Sequence, residues 1–198
     1  MEAKIKITKR NVNRAIAMYR FDEETLEKIV KKYGEKVKWS IIWIRQRVSG
    51  RFIEKYISKV SEEDWGCISI YQRLPEEFIE KYKDKLYWNY IWKFQKLSEK
   101  FIEKHIDKVD WEYVCAYQRL SEEFIEKYKD KVDWFEISKH QRLSEKFILR
   151  HIDKINVIAL TANKHLEGKL SPATVLMIIS KYPYYKEELL KLAKKEVK

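Results

Sequence analysis

Five times in this chain a tryptophan is followed seven residues later by a glutamine and then by a basic residue. The copies are Trp39/Gln46/Arg47, Trp65/Gln72/Arg73, Trp88/Gln95/Lys96, Trp111/Gln118/Arg119 and Trp134/Gln141/Arg142. From Gln72 to Gln141 successive glutamines stand 23 residues apart. A fixed period of this length marks a solenoid, in which each repeat is one small unit that buries its apolar face against the units before and after it.

What the unit is made of follows from the residues between the tryptophans. In residues 97–118, LSEKFIEKHIDKVDWEYVCAYQ, Ser98 is a good N-cap and Glu99 places negative charge in the first helical turn. Leu97 before the cap and Ile102 after it are placed for a hydrophobic staple. Phe101, Ile102, His105, Ile106 and Val109 recur at helical spacing, so a helix A is expected to run to about Lys108. Asp110 then caps a shorter helix B carrying Trp111, Val114, Tyr117 and Gln118 along one face.

The same grammar returns at Val48/Ile53, Leu74/Ile79, Leu120/Ile125 and Leu143/Ile148. The first copy starts at Phe21 and Asp22 with a helix A longer by about one turn. The second carries extra residues around Ser61–Asp64. The copy opening at Arg142 degenerates, with Val157 in the Trp slot and Lys164 in the Gln slot. Asn11 to Tyr19 reads as an orphan helix B, with Arg20 in the basic slot. Ser171-Pro172 starts a further helix, and Pro183 separates it from a Lys-rich end.

Gly and Pro number only 4 and 3, too few turn signals for an all-β fold. The expected fold is all-α: an α-solenoid of short helix pairs, about six repeats, forming one domain over 1–198. Residues 1–20 serve as an N-terminal cap, 21–165 as repeats and 166–198 as C-terminal capping helices, since end repeats must face water.

No apolar run approaches the roughly 20 residues of a membrane span, and the basic N-terminal residues lack an uninterrupted apolar stretch behind them, so they read as a poor secretory signal. Cys67 and Cys115 fall about two repeats apart in different slots, a separation of roughly 20 Å for packed helix layers, too far for a disulfide. Free thiols without an export signal point to a reducing cytoplasm. The net charge is +11, but residues 1–20 hold six basic and one acidic residue, and 181–198 six basic and three acidic. The body between is nearly balanced.

The repeats resemble tandem sequences of the form L-S-E-x-F-I-E-K-x-x-D-K-V-D-W-x-x-I-S-x-x-Q in uncharacterised proteins of bacteriophages and large DNA viruses. Residues 120–141, LSEEFIEKYKDKVDWFEISKHQ, match that form almost throughout, and the resemblance covers roughly residues 21–165. It implies a helical-repeat protein of viral origin, acting in the host cytoplasm, and carries over no catalytic residue.

Four sets of residues are candidates for function. The ladder tryptophans either fill the core of each layer or stack nucleobases. The glutamines either bond the next repeat's backbone or read the edges of a ligand. The cations Arg47, Arg73, Lys96, Arg119 and Arg142 either relieve the dipole at the end of helix B or form a stripe for phosphates. The slots that vary between copies hold Trp43, Trp92, Tyr90 and Tyr113, which either pack irregularly or give a groove its aromatic anchors.

His105 and His151 occupy a slot held elsewhere by tyrosine, and His140 one held by Tyr71, Phe94 and Tyr117, so each reads as an aromatic substitute and no metal site is expected. No cofactor motif, phosphate loop or nucleophile elbow occurs. The expected function is a non-enzymatic binding scaffold that blocks or sequesters a host protein. The alternative is a nucleotide or nucleic-acid binder that uses the basic ladder and the aromatic residues.

Overall fold

A computed structural model of the chain describes residues 6–194. The described residues form fifteen α-helices and no strand, an all-α solenoid of short helix pairs. Of the basic residues at the two ends, Lys4, Lys195 and Lys198 lie outside the described residues. The helices fall into two compact units, Met1–Lys96 and Leu97–Lys198.

Unit 1 contains α1 (Val12–Met18), α2 (Glu23–Tyr33), α3 (Trp39–Arg45), α4 (Gly50–Lys55), α5 (Asp64–Tyr71), α6 (Glu76–Lys81) and α7 (Trp88–Phe94). The odd-numbered members are B helices and pack in sequence, α1 on α3, α3 on α5 and α5 on α7. Unit 2 contains α8 (Glu99–Lys104), α9 (Trp111–Tyr117), α10 (Glu122–Lys127), α11 (Trp134–His140), α12 (Glu145–Arg150) and α13 (Val157–Thr161). Here α9 packs on α11 and α11 on α13, and α14 (Pro172–Lys181) with α15 (Lys186–Leu190) closes the unit.

Four A helices start where a serine cap dictates. Ser49, Ser98, Ser121 and Ser144 accept from the backbone N–H three residues on, at 3.1–3.2 Å. Asp110, Asp133 and Asn156 do the same for their B helices.

The A helices end sooner than their periodicity predicts. The helix opening at Glu99 stops at Lys104, because His105 leaves the helical region (φ −114°, ψ 32°). Tyr56, Tyr82, Tyr128 and His151 break the other A helices with nearly the same dihedrals. The break lays each ring over the phenylalanine one turn earlier, with centroids 4.5–4.9 Å apart. A 3-10 or hydrogen-bonded turn then leads to helix B. The first A helix, α2, is the longer one at 11 residues.

The core is built from side chains three after each ladder tryptophan and from the Phe-Ile pair of each A helix. Ile42, Ile68, Ile91, Val114 and Ile137 are fully buried, as are Ile53, Ile79, Ile102, Ile125 and Ile148. Each such side chain contributes roughly 1.5–3 kcal/mol by leaving water. The ladder tryptophans do not fill layer centres. Only Trp65 is buried, while Trp39, Trp88, Trp111 and Trp134 are half-buried. Within the units they stack on the ring that ends the following A helix: Trp39 on Tyr56, Trp65 on Tyr82, Trp111 on Tyr128 and Trp134 on His151, at 4.8–5.4 Å. At this slot the indole thus seals the seam between helices A and B.

A second tie joins neighbouring repeats. The first residue of an A helix, a glutamate, accepts from the capping serine of the next A helix: Glu23 from Ser49, Glu99 from Ser121, Glu122 from Ser144 and Glu145 from Ser171. Where Gly50 replaces that glutamate, Pro75 replaces the serine it would hold. Any Cβ at position 50 would lie 2.9 Å from the Phe78 ring.

Glu145 makes the most of this tie, accepting from Ser171 N–H and from the hydroxyls of Ser171 and Thr174. These bonds, with the Ser171 hydroxyl first, hold its carboxyl down from 4.5 to about 2. The folded value lies below the unfolded one, so the tie stabilises fully above pH 4.5 and is lost as pH falls through about 2. Glu145→Gln is expected to cost about 1–2 kcal/mol at pH 7, after solvent screening. Thermal melts of both proteins between these limits check this, and a difference that does not shrink with acid overturns it.

Candidate nucleic-acid interface

Every ladder glutamine is the C-cap of its B helix and sits in extended backbone, for example φ −94°, ψ 152° at Gln72. Extended backbone sends successive side chains to opposite sides. The run Tyr71, Gln72, Arg73, Leu74 is therefore exposed, buried, exposed, buried, and Tyr117 to Leu120 repeats it. One local conformation thus points the amide inward and its two neighbours outward.

Inside, the amide ties two repeats together. Gln72 Nε2 donates to the carbonyls of Trp43 and Gln46 at 2.6 and 2.9 Å, while its Oε1 accepts from Val48 N–H at 3.0 Å. Gln46, Gln95 and Gln141 repeat this pattern of bonds with the repeat before them. The bonds run to the preceding repeat, not the following one, because the amide reaches back across the B–B seam. They occupy both amide hydrogens, so these side chains read no ligand.

In the degenerate last copy Asn163, not Lys164, takes this role, donating to the carbonyls of Ser138 and Gln141 at 2.8 and 2.9 Å. The side chain is one methylene shorter, and α13 ends two residues earlier. Its Oδ1 accepts from its own neighbour, His165 N–H, at 2.9 Å.

Outside, unit 1 presents Tyr71 and Phe94, 52% and 46% exposed, each two residues before the exposed Arg73 or Lys96; Arg47 follows Arg45 in the same way. Unit 2 presents Tyr117, 51% exposed, with Arg119, and His140 with Arg142. None of these five ladder cations forms an ion pair among the described residues. Lysines of the A helices are paired instead: Lys55 with Glu27, Lys81 with Glu54 and Lys127 with Glu103, all at 2.7 Å. Carboxylates near the ladder, Glu99 and Glu122, already accept from serine caps. The cations follow the C-caps of B helices, so they also relieve the helix dipoles.

The variable slots contain no open groove. Trp43 and Trp92 are fully buried, so neither anchors a ligand. Their slot faces the core, four residues after the ladder tryptophan, where Ser69 and Ser138 instead bond the carbonyl one turn back. Tyr90 and Tyr113 are half-buried and support the exposed rings, Tyr90 against Phe94 at 6.2 Å and Tyr113 against Tyr117 at 6.1 Å. The residues that sequence reasoning missed are thus Tyr71, Phe94 and Tyr117. Their signal was an aromatic residue directly before the glutamine, beside a cation.

Neither thiol is activated as a thiolate. Burial pushes the Cys115 thiol up to about 12 and raises that of the half-buried Cys67. Among the described residues no three His, Cys, Asp or Glu side chains gather as metal ligands, and no helix is long and apolar enough to cross a membrane.

Fold and edge define a class: a helical-repeat scaffold that presents one aromatic or basic side chain and one unpaired cation per repeat. No family model, curated protein or solved structure matches this chain.

Proposed function

We propose that this protein is a non-enzymatic scaffold that binds single-stranded nucleic acid at the ends of the B helices within each unit. The observation that carries this reading is the pairing of an exposed ring with an exposed, unpaired cation, in Tyr71/Arg73 and Phe94/Lys96 of unit 1 and in Tyr117/Arg119 of unit 2. Flat rings stack bases without regard to sequence, and cations beside them meet the phosphates. Single strands suit this arrangement because their bases are free to splay onto the rings. The resemblance to viral repeat proteins suggests a target in an infected cell.

Binding of a fluorescent oligothymidylate should weaken with salt, log K falling by about 0.7 per phosphate contacted for each unit of log salt. Arg119→Ala with Arg142→Ala should flatten that slope by about 1.4. Tyr117→Ala should cost about 1–3 kcal/mol with the slope unchanged. Anisotropy titrations across a salt series test all three; no binding at low salt, or binding indifferent to salt, overturns the reading. Tyrosine and arginine also anchor protein interfaces, which favours a host protein as second reading. Capture of a protein whose binding tolerates salt and fails in Tyr71→Ala supports that one instead.

A further inference from the structure

The outward side chains of unit 2 line an open cleft of about 290 Å³. Tyr117, Arg119, His140, Arg142 and His165 line it, together with the outer parts of Gln118 and Gln141. We propose that this cleft binds a phosphate monoester, the terminal phosphate of a nucleic-acid strand or of a free nucleotide. The proposal rests on the nucleic-acid reading only for the choice between these two sources.

The lining is chemically specific. Two guanidinium groups come from consecutive copies of the basic slot, and guanidinium matches phosphate oxygens in pairs. His140 stands where unit 1 has Tyr71 and Phe94, so a phenol or phenyl ring is replaced by an imidazole, whose ring N–H can donate to a phosphate oxygen. His165 arrives because the last repeat is degenerate: Asn163 Oδ1 takes the His165 N–H and turns that residue to the surface. Tyr117 adds a phenolic hydroxyl.

Charge distinguishes the terminal group from the chain. A monoester carries about −1.5 to −2 at neutral pH and has a free third oxygen, whereas each internal phosphate carries a single charge. A cleft with two arginines and two histidines therefore favours the end of a strand over its interior. The cations already feel one another. Desolvation, then the charges of Arg142, Lys169, His140 and Arg119, push the His165 imidazole below its ordinary 6.5. A dianion in their midst reverses that sign.

The carboxylates nearby do not fill the cleft. Glu136 bonds His140 at 3.2 Å from within the same helix. Glu145, which shares a neighbouring hollow with His165 and Arg142, is tied to Ser171 and Thr174. Glu99, Glu122 and Glu123 lie with Arg119 and Arg142 around another hollow, and none pairs with either arginine.

The test uses the full chain and two probes. The first is an oligothymidylate of about 12 nucleotides, ending in a 5′-phosphate, a 3′-phosphate or hydroxyls only. One phosphorylated form should bind about tenfold tighter than the hydroxyl form. His140→Tyr, which puts a tyrosine where Tyr71 and Tyr117 stand in other copies, should remove most of that preference. The second probe is inorganic phosphate, followed by NMR of His165; saturating phosphate should raise the pH at which it titrates by about half a unit or more.

End preference lost in His140→Tyr supports a strand terminus. A shifted His165 without end preference supports a free monoester. If His165 responds but no oligonucleotide binds, the cleft stands and the nucleic-acid reading falls. If all three oligonucleotides bind alike and about 20 mM phosphate leaves His165 unmoved, the cleft is no phosphate site, whatever becomes of the edge.

Discussion

Gln72→Leu is expected to lower the unfolding free energy of unit 1 by about 3–5 kcal/mol, although the two side chains are similar in volume. The change strands three buried backbone groups, the carbonyls of Trp43 and Gln46 and the N–H of Val48. Each orphaned group costs about 1–3 kcal/mol, and partial relaxation keeps the total toward the lower end. Gln72→Glu keeps an acceptor for Val48 but turns a carboxylate toward two carbonyls, so it should be as harmful at neutral pH and partly relieved by acid. Denaturant midpoints followed by tryptophan fluorescence measure both. A loss below about 1 kcal/mol means that the amide ladder does not hold the repeats together.

Trp43→Ala should be as costly, about 3–5 kcal/mol, because Trp43 and Trp92 are the two largest fully buried side chains of unit 1. Trp43 has no solvent exposure, stacks on Trp39 at 5.4 Å and meets Phe52 edge-on at 6.4 Å. Its Nε1–H is buried without a hydrogen-bond partner. Trp43→Phe should therefore cost only about 1–2 kcal/mol, since it also removes an unsatisfied donor. Equilibrium unfolding of the two variants separates lost volume from the orphaned donor. Oligonucleotide affinity of folded Trp43→Phe should match that of the parent; a marked loss would return the buried indole to the list of binding residues.

Residues that determine secondary structure were legible because they act over three or four positions. Ser98 capping Phe101, Asp110 capping Tyr113 and the early charge of Glu99 are statements about one helical turn. The repeat made these statements several times over, with serine caps on four A helices and Asp or Asn caps on three B helices, so the helix pair was readable by comparing copies. The lengths were less so: His105 fits the helical period of its neighbours, yet its backbone breaks the helix to stack on Phe101.

The site was only half legible. Periodicity shows which residues share a slot, and it marked Arg73 and Arg119 as equivalent. It does not show which way the slot faces. Trp43 and Tyr71 are both aromatic residues of B helices, one at 0% exposure and the other at 52%. Aromatic character alone does not separate them; only the place of Tyr71 directly before Gln72 and Arg73 does. The degenerate copy was misaligned by one residue for a related reason, since Asn163 is recognised only by the carbonyls it meets in the repeat before it.

The sequence alone thus determined the all-α repeat, its period and its caps, all of which depend on contacts between near neighbours in the chain. The tertiary structure decided what each rung of the Trp–Gln–basic ladder does. Tryptophan seals the A–B seam, glutamine bonds a backbone 23–30 residues earlier, and the cation is left free at the surface. Those roles depend on which repeat face meets which. That is a property of the stack, and no single repeat contains it.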